Sequence, residues 1–315
     1  MGDMADTECG SRAGWRCAGL RWSTAGGAGA AGAAGAAPEP ALVWRHPVHG
    51  ERLSPLPAGR QLAFTTGEGR ACVGVRRGGR HTPCPDAAAV PEPAVSAQCP
   101  QCARLDRSHS VAADTIADDP RPYDVYLAWF AAGLIKVGIT AAERNGARLL
   151  EQAALSYALL GRGPLMAARR AEAVLGAALA VPDRFPYAAK RAARHPLPPP
   201  ERRAAELAEL HERALGLPGL PESLAVRAFA PVHHDAAFHL DRVRPSPGTV
   251  ALAPGCTLAG RVAAVAGPDV YVDTPDGQLL LDARHLAGWA LTAAAPDATT
   301  TVPVAVRPAE PDALF

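Results

Sequence analysis

The stretch YDVYLAWFAAGLIKVGITAAERNGARLLEQ, residues 123–152, decides the fold. It opens with an apolar run at 125–130, turns at Gly133, and runs again at 134–140. Two strand-like runs joined by a few residues containing glycine predict a β-hairpin. Beyond Thr140 the spacing changes. Ala147, Leu150 and Ala154 recur at three and four residues, which predicts a helix. A strand–strand–helix unit of this size is enough to carry a site.

The polar residues on that unit carry a resemblance. Val125-Tyr126, then Lys136-Val137-Gly138, then Arg148 on the predicted helix resemble the GIY-YIG nuclease superfamily, in the branch whose second motif reads K-[IV]-G-x-T. The resemblance spans roughly residues 123–180 and implies metal-dependent cleavage of DNA or RNA phosphodiesters. It implies that Tyr126 helps activate the nucleophile and that Glu172, on a later helix, holds Mg²⁺ or Mn²⁺ as a single carboxylate. Arg148 would clamp phosphate, since a guanidinium matches it bidentately. Gly138 would let the backbone turn closely beside the site. Two positions depart from the pattern. Lys136 replaces a tyrosine, and an ammonium holds a phosphate oxygen without a phenol's acid–base behaviour. Gln152, one helical turn beyond Arg148, stands where several members carry histidine. Arg169 and Arg170, beside Glu172, are expected to contact the nucleic acid. The whole chain also resembles a bacterial family, common in actinobacteria, catalogued as a domain of unknown function, with a four-cysteine module, this hairpin and helix, and a small β domain.

Glu172 stands out without the resemblance. Leu165, Ala168, Leu175 and Leu179 share its face of a predicted helix over 165–180, so the carboxylate sits inside an apolar stripe and needs a partner. An ion pair with Arg148 or Arg169 is the plainer alternative. Tyr126 and Trp129 as ordinary strand residues, and Lys136 as a solvent-facing lysine, are the corresponding alternatives on the hairpin.

The cysteines form a second signal. Cys99-Pro100-Gln101-Cys102 is a spacing that lets two thiolates from one tight turn meet one metal. Cys72 and Cys84 are the expected other half of a structural Zn²⁺ site, with Cys17 as the competitor, while Cys9 and Cys256 look unpaired. Four thiolates would leave no coordination position for water, so the zinc would be structural. The acids Asp114, Asp118 and Asp119 read as a solvated connector. His233, His234, Asp235 and His239 match no ligand spacing and read as a solvated loop.

Composition bounds the rest. A chain of 315 residues has room for two or three domains. Pro and Gly, 31 and 30 residues, predict frequent turns and linkers. Net charge is +1, yet residues 120–195 carry 11 Lys/Arg against 5 Asp/Glu, a basic segment in a near-neutral chain that permits a nucleic-acid partner. No apolar run approaches a membrane span, and the N-terminus lacks a secretory pattern, so a cytoplasmic protein with reduced thiols is expected. The resulting expectation is a multidomain α+β protein. It comprises a disordered segment (1–40), a β-rich four-cysteine zinc module (41–119) and a GIY-YIG-like domain (120–195). A linker with a helix (196–250), a small β-sheet or barrel (251–295) and a tail (296–315) follow.

Overall fold

The computed structural model describes residues 14–24, 37–77, 80–92, 94–107, 119–181, 185–245 and 248–305. The expectations for Cys9, Asp114 and Asp118, and for most of the 1–40 segment, lie outside these residues.

The elements begin with strands β1 (Arg16–Ser23), β2 (Glu39–His46), β3 (Gly50–Pro55) and β4 (Gln61–Ala71). Short strands β5 (Val75–Arg77), β6 (Arg80–Thr82) and β7 (Ala89–Val90) lead to helix α1 (Pro100–Arg107). The central stretch holds β8 (Pro122–Ala131), β9 (Leu134–Ala141), α2 (Ala147–Glu151), β10 (Ser156–Pro164) and α3 (Leu165–Leu179). Next come α4 (Tyr187–Ala192), α5 (Pro200–Leu215), β11 (Ala225–Val226), β12 (Val232–His233) and α6 (Asp235–Phe238). The chain closes with β13 (Thr249–Val250), β14 (Thr257–Ala266), β15 (Asp269–Thr274), β16 (Gly277–Asp282), α7 (Ala283–Leu286), β17 (Trp289–Ala293) and β18 (Val304–Ala305). The fold is mixed α+β and divides into two compact units. One comprises residues 1–21, 40–115 and 244–315, the other residues 22–39 and 116–243.

In the unit around 116–243, the predicted hairpin is β8 and β9, antiparallel, with Tyr126 opposite Gly138 and Ala128 opposite Lys136. The sheet order is β11–β10–β8–β9, with β12 also on β10. Every β8 residue from Tyr123 to Ala131 is buried. Its two faces are covered differently. Trp129 donates its indole N–H to Glu206 of α5 at 2.7 Å. On the other face Tyr126, Ala128 and Phe130 pack with Leu149 and Ala154. Cover on both faces explains why the sequence reads as a nearly continuous apolar run instead of a clean alternation.

Three expectations change in this unit. The helix after the hairpin is shorter than its spacing predicts: α2 ends at Glu151, and Ala153 takes a left-handed φ of 60°. Ala154 therefore packs from a loop. Strand β10 was not read from the sequence, because Gly161, Gly163 and Pro164 look like breakers. A register shift between Leu159 and Gly161 absorbs the irregularity. A side chain at Gly161 would meet Leu224 at 2.9 Å and the Ala225 carbonyl at 3.0 Å, so glycine is what lets β11 approach. The segment expected as linker and solvated loop is ordered structure. Helix α5 packs on β10 and β8, and Phe238 and His234 are buried. Asp119 is no solvated connector either, since its carboxylate accepts from the Tyr123 hydroxyl at 2.7 Å and from Arg121.

The other unit has the sheet order β17–β4–β14–β15–β16–β13–β18, with β7 on β4. Thr65 of β4 pairs with Thr257 of β14. The strands assigned from sequence to a module at 41–119 and a domain at 251–295 thus share one sheet. Between β15 and β16 the Thr274 hydroxyl donates to the Gly277 carbonyl at 2.8 Å. The expected tail is partly structural, because Val302 is buried and β18 pairs with β13. Its end, residues 306–315, lies outside the described residues. Strands β1, β2 and β3 form a separate sheet, and β5 and β6 a ribbon. No helix among the described residues is long and apolar enough to cross a membrane.

Candidate functional site

The sulfur atoms of Cys72, Cys84, Cys99 and Cys102 all lie within 4.8 Å of one another. A tetrahedral zinc with bonds of about 2.3 Å would space its thiolates about 3.8 Å apart, and Cys84 Sγ lies 4.0 Å from Cys99 Sγ. The donor set therefore fits a structural zinc. The local folding follows from backbone bonds. Cys72 to Gly74 form irregular backbone between β4 and β5. Gly74 takes φ 72° there, and any side chain at that position would strike the Thr82 carbonyl at 2.2 Å. The Cys72 amide donates to Ala88 and the Val73 amide to Ala97. Backbone amides also serve the sulfurs, with Cys99 N–H donating to Cys72 Sγ at 3.2 Å and Cys102 N–H to Cys99 Sγ at 3.5 Å. Such donors stabilise thiolate, and the Cys102 amide helps hold the Cys99 thiol down to about 7. Arg70, buried, donates to the carbonyls of Pro91, Glu92 and Ala94, and so fixes the segment leading into Cys99. Cys17 is not a ligand. It is wholly buried elsewhere, and burial pushes its thiol up to about 12. Cys256 is likewise apart, accepting from the Thr66 hydroxyl at 3.4 Å.

The second cluster centres on Tyr126. Its ring lies across Gly138, whose added Cβ would sit 2.5 Å from the phenolic oxygen. Gly138 is thus not at a turn. It is mid-strand, and its missing side chain is the seat of the tyrosine. Gln152, the C-cap of α2, is buried and donates its amide N–H to the Tyr126 hydroxyl at 3.1 Å. Burial is the main cause that pushes the Tyr126 hydroxyl above its ordinary range; the Gln152 bond and the charges of Arg148 and Arg144 oppose this, and Glu172 adds to it. Of the residues chosen from sequence, Gln152 touches the Tyr126 hydroxyl, while Arg148 and Glu172 act on it through their charge. Glu172 is half-buried on α3, which packs on β8, β9 and β10. Arg148 is half-exposed and comes within 3.9 Å of Glu151, while Arg144 holds that carboxylate at 2.8 Å. Lys136 lies on the Tyr126 face of the hairpin, two pairs along, and is half-buried. Arg169 is half-buried and Arg170 exposed on α3.

Sequence reasoning missed buried cations in the 116–243 unit, Lys190, Arg194 and Arg203 among them, and the contacts of Lys190 and Arg203 are specific. Lys190 donates to the Gln152 carbonyl at 3.1 Å and lies 3.9 Å from the centre of the Phe130 ring. Arg203 pairs with Asp235 at 2.6 Å and donates to the Ser156 hydroxyl at 3.1 Å. Both sit on short or charge-rich helices whose pattern looks like solvent-facing surface. The basic residues of α4 give no sign of which one turns inward.

A protein-family profile described as "Protein of unknown function (DUF2797)" matches residues 59–291. No curated protein and no solved structure matches the chain.

Proposed function

The chain belongs to the DUF2797 family, and from that premise we propose that its 116–243 unit is a divergent GIY-YIG-like phosphodiesterase acting on DNA or RNA. The observation that carries this reading is the Gln152 amide on the Tyr126 hydroxyl, with the charges of Arg148 and Glu172 also acting on that phenol. The element order β8–β9–α2–β10–α3 is consistent with it, with Tyr126 on β8, Arg148 and the C-cap Gln152 on α2, and Glu172 on α3. In this reading Gln152 orients the Tyr126 hydroxyl by donating to it, which leaves the phenolic proton to a water or phosphate oxygen. Arg148 takes a phosphate oxygen pair, and Lys136 adds a second cation on the same face. Glu172 fits a Mg²⁺ or Mn²⁺ ion that keeps most of its waters, being a single half-buried carboxylate. When bound, that ion would supply Lewis acidity at the phosphoryl group. The test is nicking of supercoiled plasmid, and cleavage of single-stranded DNA and RNA, with Mg²⁺ or Mn²⁺.

One observation favours a second reading, a nucleic-acid-binding or adaptor protein on the same fold. Tyr126 is only 1% exposed, and a phenol that buried is poorly placed to trade protons with a substrate. Salt-dependent binding without cleavage on any of these substrates would select it.

A further inference from the structure

A cavity of about 430 Å³ opens in the 116–243 unit beside the start of α2, a volume suited to a small organic ligand. Its walls include Asn145, Tyr157, His233, His234 and the small residue Ala237. Among its described lining residues there is no Lys, Arg, Asp or Glu. The titratable side chains in the lining are Tyr157, His233, His234 and His239, so no permanently charged side chain there favours a charged occupant over a neutral one.

The polar groups in this wall are built, not incidental. His234 is only 6% exposed and lies between the rings of Tyr157 and Phe238, with centroids 5.3 and 5.2 Å away. Its Nδ1 is 2.7 Å from the Ala154 carbonyl, which accepts only, so Nδ1 carries the proton. Nε2 is then a bare acceptor. Burial lowers the pKa of this imidazole, which keeps it neutral at pH 7. His233 is held in place too, with Nδ1 2.8 Å from the Ser156 hydroxyl, which can donate or accept and is itself held by Arg203. The Tyr157 hydroxyl adds a third polar group near Gly146, where an added Cβ would lie 3.3 Å from it. An aromatic-walled, uncharged cavity with a fixed acceptor and further polar groups matches a flat heterocycle carrying amino or imino donors beside acceptors.

We propose that this cavity binds a nucleobase, taken either as a free nucleoside or as an unstacked base of a single strand. Helix α2 supplies Leu150 to the cavity and Arg148 and Gln152 to the Tyr126 cluster. A strand held in this way would leave its phosphates outside the cavity, at the basic side of α2. That link to cleavage rests on the phosphodiesterase reading; binding of the base does not.

The test is calorimetric titration of the full chain, without divalent metal, with adenosine, guanosine, cytidine and uridine, and with ribose 5-phosphate as control. At least one nucleoside is expected to saturate, and ribose 5-phosphate is not. Ala237→Leu, which fills the cavity without removing a bond, should weaken binding about tenfold or more, near 1.4 kcal/mol, at an unchanged melting temperature. If Ala237→Leu disturbs folding, Tyr157→Phe removes one hydroxyl and should still weaken binding. A single-stranded oligonucleotide that competes with the nucleoside identifies a base of a strand as the occupant; one that does not identifies a free nucleoside. Absence of saturable binding by every nucleoside, or equal binding by wild type and both variants, overturns the proposal. Cleavage without nucleoside binding would sink the cavity assignment alone, and nucleoside binding without cleavage would sink the phosphodiesterase alone.

Discussion

Gly138 and Tyr126 face each other across the β8–β9 hairpin, and the absence of a side chain on one is the space occupied by the ring of the other. The contact is steric, so its consequence is direct. Gly138→Ala should push the ring off the Gln152 amide and cost about 1–3 kcal/mol, as overpacked cores do. Chemical denaturation measures this, and an unchanged midpoint would show that the ring relaxes freely.

The four-cysteine cluster predicts close to one zinc per chain. Replacing Cys99 and Cys102 together by serine should remove it and lower the melting temperature of the unit that holds β4 and β14, because metal binding is coupled to folding. Metal analysis of unchelated protein checks the first expectation, and calorimetry with and without chelator checks the second. Zinc-free protein with an undisturbed transition would refute both.

Removing Glu172 or the Tyr126 hydroxyl separates catalysis from structure. In a phosphodiesterase, Glu172→Ala abolishes cleavage and Tyr126→Phe slows it about 10²–10⁴-fold, with melting temperatures near that of wild type. A structural Glu172 gives the reverse pattern, a lower melting temperature and undiminished cleavage.

Binding to DNA or RNA should fall steeply with salt, through counterion release. Arg148→Ala should weaken binding alike for all sequences and reduce the salt slope by about one. A slope unaffected by this substitution would place the phosphate contact elsewhere.

His234 gives a pH prediction. Its folded-state pKa lies below 6.5, chiefly through burial, with Asp235 opposing and His233 adding to the effect. Below pH 6.5 the unfolded state then binds the extra proton first, so stability is full above that pH and is lost as pH falls toward the folded value. Melting temperatures at pH 7.5 and 5.5 should differ, and His234→Gln should shrink the difference. His81, shifted the same way, supplies part of what remains.

The hairpin and the Cys99–Cys102 half of the four-cysteine cluster were legible because their signals are local. Two apolar runs around Gly133 define a turn, and Cys99 and Cys102 define a knuckle with no reference to the rest of the chain. The choice of Tyr126 and Gln152, which meet, came only through a motif, since periodicity says nothing about which strand faces which helix. What escaped was set by distant partners. Strand β10 hides behind Gly161 and Gly163, which mark breaks in the sequence yet exist to admit residues 223–225. The loop at 232–244 reads as polar because its histidines face different surroundings, His234 buried against the Ala154 carbonyl and His233 half-buried against the Ser156 hydroxyl. The pairing of β4 with β14 joins residues whose relation no window of sequence contains.

That last pairing has a consequence during synthesis. Thr65 and its partner Thr257 are 192 residues apart in the chain, and a ribosome adding roughly 5–20 residues per second separates their emergence by about 10–40 s. Throughout that interval both edges of β4 lack the strands β14 and β17 that will cover them, while the whole 116–243 segment emerges and can fold. The nascent chain therefore carries an open, pairable edge beside a finished unit, and the hazard of intermolecular strand exchange falls in this window of translation.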